Sequence, residues 1–178
     1  WIGSMTPDRN LDAARRIMQY RVSGDIDLKL KVSIDLISAK IKNSIRVLQR
    51  LASNRKMSDD ENYREAVGAL SRYIGLAGNV STVDELRGYE GSASAVYFGA
   101  LAGFFPEDVP FVERSRRPPK NEANALLSWT YTIVLGEIES ALRVRGLDPC
   151  IGFLHEVSSG TPSLALDLLE PLRPPLCD

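Results

Sequence analysis

From Leu30 onward, apolar residues recur in steps of three and four: Leu30, Ile34, Ile37, Ile41, Ile45, Leu48 and Leu51. That is the period of an α-helix with one covered side, and over this length it excludes a strand, whose side chains alternate every two residues. A stripe this long needs apolar surface from other elements to cover it. The chain is therefore predicted to be all-α, a compact multi-helix domain spanning 1–178. No stretch has the alternation of a strand, and no internal repeat or low-complexity tract interrupts the pattern.

Punctuation along the chain divides it further. Residues 1–24 are mixed and end in Ser23-Gly24-Asp25, so they are assigned to a linker or lead-in segment. Ser58-Asp59-Asp60-Glu61 places acids at the positive end of a helix dipole, and that helix is expected to run to about Ala77 and stop at Gly78-Asn79. Ser81 with Asp84 and Thr82 with Glu85 form two overlapping capping boxes for a helix that continues towards Phe104 and ends at Phe105-Pro106. Residues 106–120 contain Pro106, Pro110, Pro118 and Pro119 together with Arg114, Arg116, Arg117 and Lys120, and read as a loop long enough to be functional. A helix then extends from about Asn121 to Arg145, with Gly146 as its C′ residue. Asp148-Pro149 marks a turn or a new helix start, and 158–162 is a flexible loop. Ser163 is placed to cap a last short helix that Pro171 ends.

Composition bounds the function. With 44% hydrophobic and 25% charged residues the chain resembles an ordinary soluble globular protein, and at 178 residues one domain with a full core is expected. No apolar run is long enough to span a bilayer, and Trp1-Ile2-Gly3-Ser4 lacks the basic start and apolar core of a secretory signal. Cys150 and Cys177 form neither a metal-type CxxC pair nor a disulfide framework, which points to a reducing, cytoplasmic setting. Charge is distributed unevenly. Residues 1–56 hold 12 Lys/Arg against 5 Asp/Glu, and residues 57–178 hold 10 against 18. A basic half and an acidic half suit a protein that grips a polyanion and also holds cations. Lys42, Arg46 and Arg50 form a basic stripe at i, i+4 spacing on the polar side of the first long helix, where their mutual repulsion costs a little and a polyanion would offset it. An ordinary solvated face is the competing reading.

Three segments carry candidate chemistry. His155, the only histidine, follows Gly152-Phe153-Leu154, and Asp167 and Glu170 lie a short loop away at i, i+3, on one face of a helix. Glu90 stands in Gly88-Tyr89-Glu90-Gly91 on the side of its helix shared by Leu86, Ala93, Tyr97 and Leu101. A lone carboxylate on an apolar face is costly unless it is protonated, paired or bound to a cation. Pairing with Arg87 or Arg145 is the structural alternative. Gly88, Gly91 and the small residues 92–95 are expected to thin that surface so that another element or a ligand approaches closely. An imidazole and carboxylates from separate elements suit a divalent metal, Mn²⁺ somewhat more than Mg²⁺ because of the imidazole, and zinc less for want of a neighbouring cysteine.

A glycine-rich phosphate loop and a GxSxG motif are absent, and one histidine excludes a multi-histidine metal site. Three functions stay open on these residues. One is a metal-dependent nuclease or integrase. The second is an all-α nucleotide pyrophosphohydrolase using carboxylate-bound magnesium, which needs acids clustered on facing helices. The third is a non-catalytic DNA-binding module in which the acids are structural.

One combination of blocks is specific. It joins Arg117-Pro118-Pro119 to Asn124-Ala125-Leu126-Leu127-Ser128 with Tyr131, then Gly146-Leu147-Asp148-Pro149, Gly152-Phe153-Leu154-His155, and Ser163-Leu164-Ala165-Leu166-Asp167-Leu168-Leu169-Glu170-Pro171-Leu172-Arg173-Pro174. With Leu86-Arg87-Gly88-Tyr89-Glu90-Gly91, Ala95 and Tyr97-Phe98, and with Ala39-Lys40-Ile41-Lys42-Asn43, it resembles the CRISPR-associated integrase and endonuclease of spacer acquisition over roughly residues 30–174. The resemblance implies the family's helical catalytic domain, without the β-rich N-terminal domain that family members carry. It implies metal ligation by Glu90, His155 and Glu170, a further acid near the metal at Asp167, and Mn²⁺ or Mg²⁺ as cofactor. It also implies double-stranded DNA as substrate (spacer precursor and repeat array), a small ferredoxin-like partner protein and a homodimer of the full-length protein. Lys42, Arg46, Arg114, Arg116, Arg117 and Lys120 are the candidate DNA contacts.

Overall fold

The computed structural model describes residues 13–106, 108–109, 111–115 and 118–178. Among the described residues seven α-helices follow one another: α1 (Ala13–Ser23), α2 (Ile26–Asn54), α3 (Glu61–Ala77), α4 (Val83–Ala102), α5 (Glu122–Val144), α6 (Ser163–Leu169) and α7 (Arg173–Cys177), with a 3₁₀ turn (Glu170–Leu172) between the last two. Among the described residues there is no strand.

Helix α2 is the spine. It packs against α3 and α4 on one flank and against the 3₁₀ turn and α7 on another. Ile37, Ile41 and Leu48 of its apolar stripe lie in the main core, and Leu30, Ile34, Ile45 and Leu51 pack at the edge. Leu70 and Ala77 of α3 and Leu86, Ala93, Tyr97 and Leu101 of α4 complete that core, with Leu154 from the loop before α6. The four α4 residues are those sharing a side with Glu90, so packing α4 on α2 carries Glu90 towards α2. A second cluster gathers Phe111, Ala123 and Leu127, and a third joins Leu142 of α5 to Leu164 and Ala165 of α6.

The helix starts follow local chemistry. Asp25, Asp60, Thr82 and Asn121 cap α2, α3, α4 and α5, each accepting from the backbone N–H three residues on. Glu85 reaches back to the N–H of Ser81 at 3.0 Å, one residue before the cap, so the two expected capping boxes merge into one. Helix α5 closes on Gly146, whose φ of +71° supplies the left-handed residue that lets Leu147 N–H reach the carbonyl of Leu142 at 3.0 Å.

Three local expectations change. Within the segment read as a linker, residues 13–23 form α1, which grips the turn after α5. Gln19 exchanges two 2.8 Å hydrogen bonds with the backbone of Asp148, and Arg15 donates to the carbonyl of Arg145 at 2.6 Å. Ser163 does not cap α6, because it is the first helical residue and its hydroxyl donates to the carbonyl of Glu156 at 2.7 Å. Pro171 does not end the helical path either. At the start of a 3₁₀ turn its missing N–H costs nothing, and α7 follows directly.

Leu70 of α3 is fully buried in the main core. Leu70→Ala should cost about 2–5 kcal/mol in urea unfolding, with an unchanged far-ultraviolet circular dichroism spectrum at low denaturant.

Candidate active site

The site begins with a buried charge. Asp167 of α6 has no exposed surface, a situation that is unfavourable for a carboxylate unless its oxygens are filled with donors. They are. Oδ2 accepts from the N–H groups of Phe153 at 2.5 Å and Leu154 at 3.0 Å, and Oδ1 accepts from the N–H of His155 at 2.9 Å. Three successive amides thus wrap one carboxylate, an anion-binding nest closed within the chain. Gly152 makes the wrap possible. A Cβ there would stand 2.8 Å from both Asp167 Oδ2 and the carbonyl carbon of Ser163, too close for either to remain in place.

The nest aims the histidine. His155 Nδ1 lies 2.7 Å from Asp167 Oδ1. An ionised carboxylate only accepts, so Nδ1 carries the proton and the lone pair of the neutral ring is on Nε2. Nε2 stands 4.0 Å from Glu170 Oε1 on the open side of the ring. The His155 side chain is 36% exposed, so this edge remains accessible.

Glu170, in the 3₁₀ turn, is buried and doubly paired. Its Oε1 accepts from Arg173 Nη1 at 2.9 Å, and its Oε2 accepts from Lys40 Nζ at 2.7 Å. The same ammonium donates to Glu90 Oε1, and Ser94 Oγ donates to that oxygen at 2.8 Å. Burial pushes the Glu90 carboxyl up, but the charge and hydrogen bond of Lys40, helped by Ser94, outweigh it and hold Glu90 below the usual glutamate range. Glu90 therefore pairs with Lys40, not with Arg87 or Arg145. Arg87 turns instead to Asp84 and to the carbonyl of Leu154, at 2.7 and 2.5 Å. Gly88 and Gly91 face open space with nothing within 4 Å of an added Cβ, so close packing does not explain them.

Glu90 of α4 and Glu170 of the 3₁₀ turn thus meet across Lys40, and Glu170 also stands beside His155. As they stand, no three His, Cys, Asp or Glu side chains among the described residues are placed to share one ion. The donor chemistry nevertheless fits a divalent cation. One imidazole offers a lone pair on a fixed nitrogen, the Glu170 carboxylate stands 4.0 Å from it, and the gap between Glu170 and Glu90 already holds a cation, the Lys40 ammonium. Asp167 is committed to the nest and serves to position His155.

The predicted DNA contacts divide. Lys42 and Arg46 are exposed on the outer face of α2. Arg114 turns inward, donating to Asn124 Oδ1 at 2.9 Å and Ser128 Oγ at 3.1 Å and lying over the Tyr131 ring. Lys120 is exposed and paired with Glu113 at 2.7 Å. Arg116 and Arg117 lie outside the described residues. Sequence reasoning missed two residues of the site. Lys40 keeps helical step with Ile37, Ile41 and Ser44, which was a signal for the covered face, while Arg173 gave no sign beyond its i+3 spacing from Glu170.

A family model described as CRISPR associated protein Cas1 matches residues 1–178. A CRISPR-associated endonuclease Cas1 of Thermus thermophilus is 41% identical over 173 residues, covering 97% of this chain and 48% of that protein. The chain thus spans about half the length of that curated relative. Among solved structures, a partial Cas6-RT-Cas1–Cas2 complex superposes with a TM-score of 0.83 at 26% identity, over 97% of this chain and 50% of the other. A casposase bound to integration product superposes with a TM-score of 0.76, also at 26% identity, with the same shares of 97% and 50%.

Two tests follow from the nest and the paired glutamate. Gly152→Ala should cost about 1–3 kcal/mol of stability as the wrap is forced apart, and the histidine ring resonances should shift in the nuclear magnetic resonance spectrum. The second concerns acid. Glu90 ionises more easily folded than unfolded, so its stabilisation is full above the ordinary value of 4.5 and is lost as the pH falls through the folded-state value below that. Glu90→Gln should therefore flatten the acid limb of a stability–pH curve below pH 4.5 relative to the parent.

Proposed function

The chain belongs to the Cas1 family, and from that premise we propose that it is the helical catalytic domain of a metal-dependent DNA endonuclease and integrase, which inserts foreign DNA into a CRISPR array by phosphodiester transesterification. The observation that supports this reading is that Glu90 and Glu170 share one cation, Lys40, and that the Nε2 of His155 stands 4.0 Å from Glu170. Mn²⁺ or Mg²⁺ bound by these three side chains would polarise the scissile phosphodiester and ease deprotonation of the attacking hydroxyl.

The chain's own residues supply the remainder. Asp167 fixes the tautomer and direction of His155, the kind of support that a metal-bound imidazole needs. Arg173 restrains Glu170 from one side while its guanidinium lies over Tyr131 at 5.0 Å. No side-chain nucleophile is required, since a DNA 3′-hydroxyl or a water attacks phosphorus. Lys42 and Arg46 lie on an outer face suited to phosphate contacts. The casposase neighbour bound to integration product supports DNA as the substrate, and the Cas1–Cas2 neighbour supports a partner protein, for which a small ferredoxin-like fold is part of the same proposal. A homodimer of the full-length protein belongs to the same proposal. The pyrophosphohydrolase alternative gains nothing from the geometry, because Asp167 is turned onto backbone amides and Glu170 onto Lys40 and Arg173.

His155→Ala should abolish Mn²⁺-dependent cleavage and joining of labelled DNA while leaving the helical fold intact, since the ring is partly exposed and outside the main core. Melting with and without Mn²⁺ should show a stabilising shift in the parent and a much smaller one in the variant. Full activity and an undiminished Mn²⁺ shift in the variant would sink the proposal.

A further inference from the structure

Lysine ammonium groups are rarely buried, and Lys40 is only 8% exposed. It projects from the covered face of α2, between Ile37 and Ser44, into the space between α4 and the 3₁₀ turn. Two of its three N–H bonds go to Glu90 Oε1 and Glu170 Oε2, one oxygen on each of the two carboxylates proposed as metal ligands. We propose that Lys40 is the site's internal counter-cation: it holds Glu90 and Glu170 together without metal and is displaced from them when a divalent ion binds.

The electrostatic reason is direct. Two glutamates brought together in a partly dry site repel each other unless a positive charge stands between them. Breaking such a pair by removing one partner leaves uncompensated charge, so the ammonium stabilises the metal-free fold. A divalent ion held by Glu90 and Glu170 would meet the same need with twice the charge and would compete with Lys40 for those two carboxylates. With both glutamates neutralised by the ion, and Arg173 still on Glu170, the ammonium loses its attraction to the spot and is repelled by the ion. It has somewhere to go. A small cavity beside it is lined by Lys40, Ser44, Tyr131, Arg173 and Asp178, and the Asp178 carboxylate, which accepts from the Tyr131 hydroxyl at 2.6 Å, offsets the charge of Arg173 there. Two cations that exclude each other from one pair of carboxylates are linked negatively, so each weakens the other's hold.

This inference rests on the metal reading, and the test separates the two. Mn²⁺ binding is followed by the electron paramagnetic resonance signal of the free ion, for the parent protein and for Lys40→Met. The variant should bind Mn²⁺ about tenfold more tightly, within the usual range of coupling between two mutually exclusive ligands. It should melt earlier than the parent without metal and gain more from Mn²⁺. Equal or weaker Mn²⁺ binding by the variant overturns the role of Lys40 while leaving the metal site standing. A parent protein that binds no Mn²⁺ overturns both. Should Lys40→Met fail to fold, the parent alone decides. The ¹⁵Nζ resonance of Lys40, followed in the lysine-labelled parent protein, should move on adding Mg²⁺, and an unchanged resonance refutes displacement.

Discussion

Four hydrogen bonds onto the Asp167 carboxylate hold the candidate site in shape. Three come from consecutive backbone amides and one from the imidazole they carry. A buried carboxylate without donors would be intolerable, so the segment 152–155 folds around Asp167 or α6 does not dock. Gly152 follows from this constraint, because any side chain there would occupy the space of the carboxylate and of Ser163. Leu154 follows too, its amide on Asp167 and its side chain in the main core. The orientation of His155 is thereby a consequence of folding, settled before any ligand arrives.

The charges nearest the histidine balance pairwise. Glu90 and Glu170 face Lys40, and Glu170 also faces Arg173. These pairs bridge elements far apart in sequence: α2 supplies the lysine, α4 one glutamate, and the turn before α7 the other. Asn43 reinforces the junction, donating to the carbonyl of Pro171 at 2.8 Å. The apolar packing of α2 on α4 and the polar contacts of α2 with the 3₁₀ turn therefore act on the same residues. Core packing sets the distance between elements, and the charges set which side chains meet there.

Helix α2 keeps two kinds of basic residue apart. Lys40 points inward to the carboxylates, while Lys42, Arg46 and Arg50 lie exposed on the other side. About half a helical turn separates Lys40, paired with the carboxylates, from the exposed Lys42. The loop before α5 divides its basic residues in the same way, with Arg114 anchored to Asn124 and Ser128 and Lys120 left at the surface.

The order of the helices from α2 to α6, the helix starts near Asp60 and Asn121, the Thr82 cap, the Gly146 terminus and the shared face of Leu86, Glu90, Ala93, Tyr97 and Leu101 were legible in the sequence. Each depends on contacts within a few residues or on a period, and both are written locally. The grouping of Glu90, His155, Asp167 and Glu170 was legible only as residue types and motif blocks. The division of labour between the two acids of the last block was not: Asp167 closes on three amides, whereas Glu170, three residues on, meets Lys40 and Arg173. Nor did the chain announce that residues 13–23 form a helix clasping a turn about 130 positions away, or that Lys40 is the partner of Glu90. Such pairings join residues distant in sequence whose energies depend on burial and on every neighbouring charge at once. Periodicity records which side of a helix is covered, but only the folded arrangement decides which charges end up facing each other there.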